Sequence, residues 1–142
     1  MSNKEIRKAF EIKLSEYITT KRPTLKVSWE NRSFSVTGVE KYLQPVLYPA
    51  GLANPSLGDI HKRYYGTFVV RIKDSLLNRG TDWVDEVSKE IEDWFPRGMI
   101  LTNEGNSVWI QNDPYSHYVD LGDKWLTVMV EIPYRSDYFK QG

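Results

Sequence analysis

His61 and His117 are the two imidazoles of the chain. Both stand near carboxylates, His61 after Asp59 and His117 among Asp113, Asp120 and Asp123. An imidazole beside an acid is the base half of a nucleophilic site. The other half is missing, since there is no Cys and no G-x-S-x-G turn. Asp113, His117, Asp120 and Asp123 are residue types that hold divalent cations. Their spacing matches neither a calcium loop nor a zinc pattern, and loops use Asp to form turns without any metal. No Walker A or G-x-G-x-x-G run offers a phosphate cradle. Glu90, Glu92 and Asp93 fall on the outer face of a predicted helix, where solvation accounts for them. Lys62 to Tyr65, and Tyr134 with Arg135, mix cations with rings as single-stranded nucleic-acid platforms do. The same clusters serve equally as gatekeepers on edge strands. No catalytic residue, metal ligand or cofactor site is assigned from these residues.

The elements that would position such groups follow from periodicity. Residues 3–20 carry Ile6, Phe10, Leu14, Tyr17 and Ile18 on one stripe, which predicts an amphipathic helix opened by a Ser2–Glu5 capping box and ended by Pro23. Thr24 to Trp29 alternates as a strand, and Phe34 with Val36 suggests a second short one. Tyr42 to Tyr48 is extended, with Pro45 demoting it to an edge strand or irregular segment. Residues 49–62 are rich in Pro and Gly and predict a long loop that orders on docking.

Arg63 to Lys73 is a strong strand with Tyr64, Gly66, Phe68, Val70 and Ile72 on one face, and Gly66 marks a bulge or a close neighbour. Residues 81–95 predict a second helix with Thr81 as N-cap and Val84, Val87, Ile91, Trp94 and Phe95 as its stripe. Residues 99–102 and 107–111 form a hairpin, and 112–123 a polar loop. Lys124 to Ile132 is the best strand, with Leu126, Val128, Val130 and Ile132 opposite Trp125, Thr127, Met129 and Glu131, and Pro133 ends regular pairing. The order predicts an α+β fold: one domain over residues 1–142, with an antiparallel or mixed sheet and two main helices on one face.

Bulk properties narrow the function. The chain has 142 residues, no Cys, and 19 basic against 19 acidic side chains. Disulfides and thiolate metal sites are excluded. Zero net charge lacks the basic surplus typical of a nucleic-acid binder. Apolar runs fall far short of the ~20 residues that cross a bilayer, and the N-terminus has no apolar leader segment. A soluble protein made in the cytoplasm is expected, with no membrane and no nucleic acid as partner.

Five Trp and nine Tyr are more aromatic surface than one small core needs. Trp109, Trp125 and Met129 alternate away from the aliphatic face, and Trp83 lies off its helix's main stripe. Either a helix within the domain covers them or another subunit does. With Leu52 and Leu57 of the long loop, these are the candidate protein-interface residues.

Four segments carry a family resemblance: Tyr65 to Ile72 (YGTFVVRI), Ile91 to Gly98 (IEDWFPRG), Val108 to Ile110 (VWI), and Trp125 to Arg135 (WLTVMVEIPYR). Together they resemble the small tail terminator or tail completion proteins of long-tailed bacteriophages and prophages. The resemblance implies a mixed α/β subunit that assembles as a hexameric ring. Such a ring caps the tail tube, ends its polymerisation and gives the head–tail connector protein a surface to join. It implies contacts with itself, the tail tube protein and the connector, and no cofactor or turnover. The implied location is the host cytoplasm during assembly and the tail of the virion. A nucleic-acid-binding module and a metal-dependent hydrolase are the alternatives.

Overall fold

The apolar stripe near the N-terminus folds as expected. In a computed structural model, which describes residues 3–53, 61–75, 80–103, 106–119 and 124–139, α1 runs Asn3–Lys21 and buries Ile6, Ala9, Phe10, Leu14 and Tyr17. The second stripe forms α2, Asp82–Trp94, with Val84, Val87 and Ile91 buried and Phe95 closing the core just past its end. Both helices lie against one face of a seven-stranded sheet. Its strands are β1 (Lys26–Val27), β2 (Lys41–Ala53), β3 (His61–Ser75), β4 (Ile100–Asn103), β5 (Asn106–Ile110), β6 (Tyr115–Tyr118) and β7 (Trp125–Phe139).

The order is β1-β2-β3-β7-β5-β4, with β6 also on β7. Only β1 and β2 are parallel, so the sheet is mixed and the class is α+β. Strands β2, β3 and β7 form the spine. The far edge of β7 is shared, with β6 pairing Val128–Glu131 and β5 pairing Tyr134 and Arg135. Leu43, Leu47, Phe68, Val70, Ile72, Val128, Val130 and Ile132 point at the helices and make one core with them.

Two prolines sit inside long strands, and the ladder explains both. Residues 43 and 47 aim their backbone polar groups away from β3: the Leu43 carbonyl accepts from Ser28 N–H at 2.7 Å, and Leu47 N–H donates to the Glu30 carboxylate at 3.2 Å. Pro45 has the same parity, so its missing N–H removes no bond to β3. Pro133 does not end β7, contrary to the expectation from sequence. It pairs with Thr67, and the strand continues to Phe139. Its carbonyl accepts from Gln111 N–H at 3.0 Å, on the side away from β3 and between the stretches paired with β6 and β5. Its nitrogen faces that gap, where no ladder partner is needed.

Other boundaries move too. The strand expected over residues 24–29 shrinks to Lys26–Val27, and Phe34 and Val36 form none. Phe34 packs on Tyr42 at a ring separation of 5.1 Å. Pro49 to Ala53 and His61–Lys62 belong to β2 and β3 rather than to a loop, with the register slipping between Pro49 and Gly51. Residues 54–60, with Leu57, lie outside the described residues, as does Ser2 of the expected capping box. Thr81 occupies the N-cap of α2 but makes no side-chain bond there. Within 112–123 the chain forms β6, while 120–123 lie outside the described residues.

The helices are tied by one polar knot. Tyr17, fully buried, donates its hydroxyl to Glu90 at 2.8 Å, and Arg22 donates to both Glu90 oxygens at 3.1 and 2.8 Å. Burial and the neighbouring carboxylate hold the Tyr17 hydroxyl well above its usual pKa. The Arg22 hydrogen bonds pull Glu90 below its usual pKa against the opposing effect of burial. A depressed folded pKa contributes stability above the unfolded value, roughly 4.3 for Glu. That contribution fades as pH falls through the folded value. Glu90→Gln should therefore be less stable than wild type at neutral pH by about 1–3 kcal/mol, and the gap should shrink below about pH 4. Urea unfolding at several pH values measures it, and a gap that is constant with pH would refute the assignment. Asp137, also depressed, supplies acid sensitivity that both proteins share.

Candidate protein interface

Strand parity puts a second set of side chains on the sheet face away from both helices. From β2 come Tyr42, Gln44, Val46 and Tyr48, and from β3 Arg63, Tyr65, Thr67, Val69, Arg71 and Lys73. From β7 come Trp125, Thr127, Met129, Glu131, Pro133, Arg135 and Asp137. Register adds Tyr115 and His117 from β6 opposite Glu131 and Met129, Trp109 from β5 opposite Arg135, and Ile100 from β4 opposite Trp109. Among the described residues no helix lies over this face.

The candidates from sequence divide accordingly. Trp109, Trp125 and Met129 all lie on the open face, although they come from different strands. Trp109 is 42% exposed, Trp125 and Met129 half-buried. Trp125 meets Tyr42 edge-on at 5.0 Å. Leu52, 50% exposed, sits near the free end of β2 and points to the helix side. Trp83 lies at the seam between α2 and the sheet, half-buried against the core, with the Lys41 ammonium 4.6 Å from its ring centre. Leu57 lies outside the described residues.

The face is sculpted at its β4–β5 rim. A cleft of about 370 Å³ opens between Arg97, Gly98, Ile100, Trp109, Ile110, Gln111 and Arg135. The Arg135 guanidinium stacks over Trp109 at 4.3 Å. A larger groove, about 560 Å³, follows the outer side of α1 between Lys8, Glu11, Ile12 and Trp29. Burial there raises the Glu11 pKa, against the lowering pull of Arg32 and Arg7.

Both histidines stand in strands. His61 begins β3, with Nε2 2.9 Å from Asp137. His117 stands in β6, with Nε2 2.6 Å from Glu131. Asp113 lies 4.0 Å from Arg97, while Asp120 and Asp123 are outside the described residues. Among the described residues no three His or acidic groups converge as metal ligands. The two cationic clusters do meet, since Tyr65 pairs with Arg135 across β3 and β7. Arg63 and Arg135 both pair with Asp137, at 2.8 and 3.3 Å, and Tyr134 is buried.

Sequence reasoning missed two parts of the face. Tyr115 and His117 lie in a segment read as a polar loop, where alternation with Ser116 was the available signal. Arg71 and Lys73 alternate with the apolar residues Val70 and Ile72 of the same strand, and that apolar parity is its dominant signal.

The sheet is thus covered by helices on one side and carries rings and cations on the other. The chain belongs to the phage tail terminator protein family, whose pattern spans residues 5–134. It is thus a structural protein of the phage tail that interacts with other tail proteins. A solved chain 26% identical in sequence superposes with a TM-score of 0.80, over 99% of each chain. No curated protein sequence matches it. Among the described residues no helix is long and apolar enough to cross a membrane.

Proposed function

We propose that the protein closes the tail tube as a ring of identical subunits, ends tube polymerisation and gives the head connector its joining surface. The reading rests on family membership over residues 5–134. The observation that carries it at the level of chemistry is the open face, where Ile100, Trp109, Tyr115 and Tyr65 are each more than two-fifths exposed. The Trp and Tyr side chains among them are favoured interface anchors. A subunit of a closed ring uses two different patches, one for each neighbour. Trp109, Trp125, Met129 and Leu52 are proposed as contact residues, with Trp83 at the margin of α2.

The test is tube growth. Purified chain added to polymerising tail tube protein should shorten the tubes and leave their ends unable to elongate when fresh tube protein is supplied. Trp109→Asp should weaken that block severalfold while leaving the fold intact. Tubes that reach the same length with and without the wild-type chain would overturn the proposal.

A further inference from the structure

Charge in this neutral chain is segregated. Helix α2 carries Asp82, Asp85, Glu86, Glu90, Glu92 and Asp93 against the single cation Lys89. Its solvent stripe is Asp82, Asp85, Glu86, Lys89 and Asp93, all exposed; within the chain Glu86 pairs with Arg22 at 2.9 Å, Asp85 accepts from the Tyr118 hydroxyl at 2.6 Å and Asp93 pairs with Lys89 at 3.1 Å, which leaves the stripe acidic on balance. Spacings of three and four place them on one side of the helix. On the open sheet face the balance reverses. Arg71 and Lys73 stand two residues apart on β3, both half-buried.

Their cross-strand neighbours carry no acid. Arg71 lies between Gln44 and Met129, and Lys73 between Tyr42 and Thr127. Glu131, the nearest acid by register, is engaged by His117 at 2.6 Å. Arg71 donates to the neutral hydroxyl of Tyr48 at 2.7 Å. Burial, with the charge of Arg71 added, pulls Lys73 below its usual pKa. Two cations held side by side on a partly desolvated sheet repel each other, and an incoming carboxylate would relieve that repulsion.

We infer that the Arg71–Lys73 patch docks the acidic stripe of α2 from a second copy of this chain. The occupant is set by complementarity within one sequence: the acids are on a helix at one side of the subunit, and on the opposite face of the sheet lie two cations with no acid at their cross-strand positions among the described residues. A contact joining two different surfaces is head-to-tail, and repeated by rotation it closes a ring. Met129 beside Arg71 adds apolar area where the helix would lie. The inference rests on the ring proposed above and names which surfaces meet.

Charge exchange tests it, read by sedimentation equilibrium over a concentration series. Wild type should self-associate, and more weakly as salt rises. Arg71→Glu with Lys73→Glu should weaken association by about tenfold or more, as should Asp82→Lys with Glu86→Lys. The chain carrying all four substitutions should associate again, because both signs are reversed. Thermal unfolding of each variant reports whether it is folded, and recovery in the fourfold variant excludes simple misfolding.

If wild type associates but the single-surface variants do too, or the fourfold variant does not recover, the pairing is overturned and the ring proposal stands on the tube assay. Wild type that stays monomeric up to about 1 mM, a free energy weaker than about −4 kcal/mol, overturns the pairing as well. A duplex DNA oligonucleotide is the remaining probe. If it binds with strong salt dependence and Arg71→Glu with Lys73→Glu abolishes that binding but not association, the patch serves nucleic acid and the inference fails.

Discussion

Phe10→Ala should lower the unfolding free energy by about 3–5 kcal/mol, a large share of the 5–15 kcal/mol typical of a domain. Phe10 is fully buried at the meeting point of α1, β3, β7 and the end of α2. Its ring stacks on Phe68 at 4.5 Å with an interplanar angle of 10°, and lies 5.5 Å from Tyr134 and 6.0 Å from Phe95. Removing it deletes the apolar transfer energy and also three ring contacts, each worth about 0.5–1.5 kcal/mol beyond area. The cavity cannot collapse easily, because its walls belong to the sheet and to helices held by the Tyr17–Arg22–Glu90 knot. Urea unfolding should show a lower midpoint with an unchanged slope. Phe10→Leu, which keeps most of the volume, should cost less than half as much. A loss under about 1 kcal/mol for the Ala variant would mean that the four elements do not share one core.

Sequence periodicity found both helices because an amphipathic stripe needs only one neighbour, the sheet, to be satisfied. It also divided Leu126, Val128, Val130 and Ile132 from Trp125, Thr127, Met129 and Glu131, and the register bears that division out. What escaped was set by non-local pairing. Pro133 reads locally as a stop, yet it is tolerated because its nitrogen faces the gap between β6 and β5, a fact of strand order and not of sequence. Pro49 and Gly51 read as loop, yet β3 holds them in a ladder through a register slip. The aromatic excess was legible; its arrangement was not, since Trp109 joins Trp125 and Met129 only through the β5–β7 pairing. The partner of Arg71 and Lys73 was invisible because a missing cross-strand acid can be seen only once the strands are paired.

Gly66 is where that pairing is least forgiving, and Gly66→Ala should destabilise by about 3 kcal/mol, the upper end of ordinary overpacking. A Cβ there would lie 2.5 Å from the Tyr48 carbonyl oxygen, 2.9 Å from Ala50 N and 2.8 Å from the Tyr134 hydroxyl. Two of these three are backbone atoms of β2 at its register slip, so relief requires moving a strand. The third can be tested separately. Tyr134 is fully buried, its hydroxyl has no hydrogen-bond partner among the described residues, and burial pushes its pKa up to about 12. Tyr134→Phe should thus be close to neutral alone, and in that background Gly66→Ala should recover only a minor part of its cost. Gly51→Ala is the control. Its Cβ would come 2.7 Å from the Tyr65 hydroxyl, but that ring is 41% exposed and can swing away. Thermal unfolding should separate the two glycines by several degrees. Equal, small shifts would show that β2 yields at the slip as readily as a side chain does, and that the spine of the open face is not rigid there.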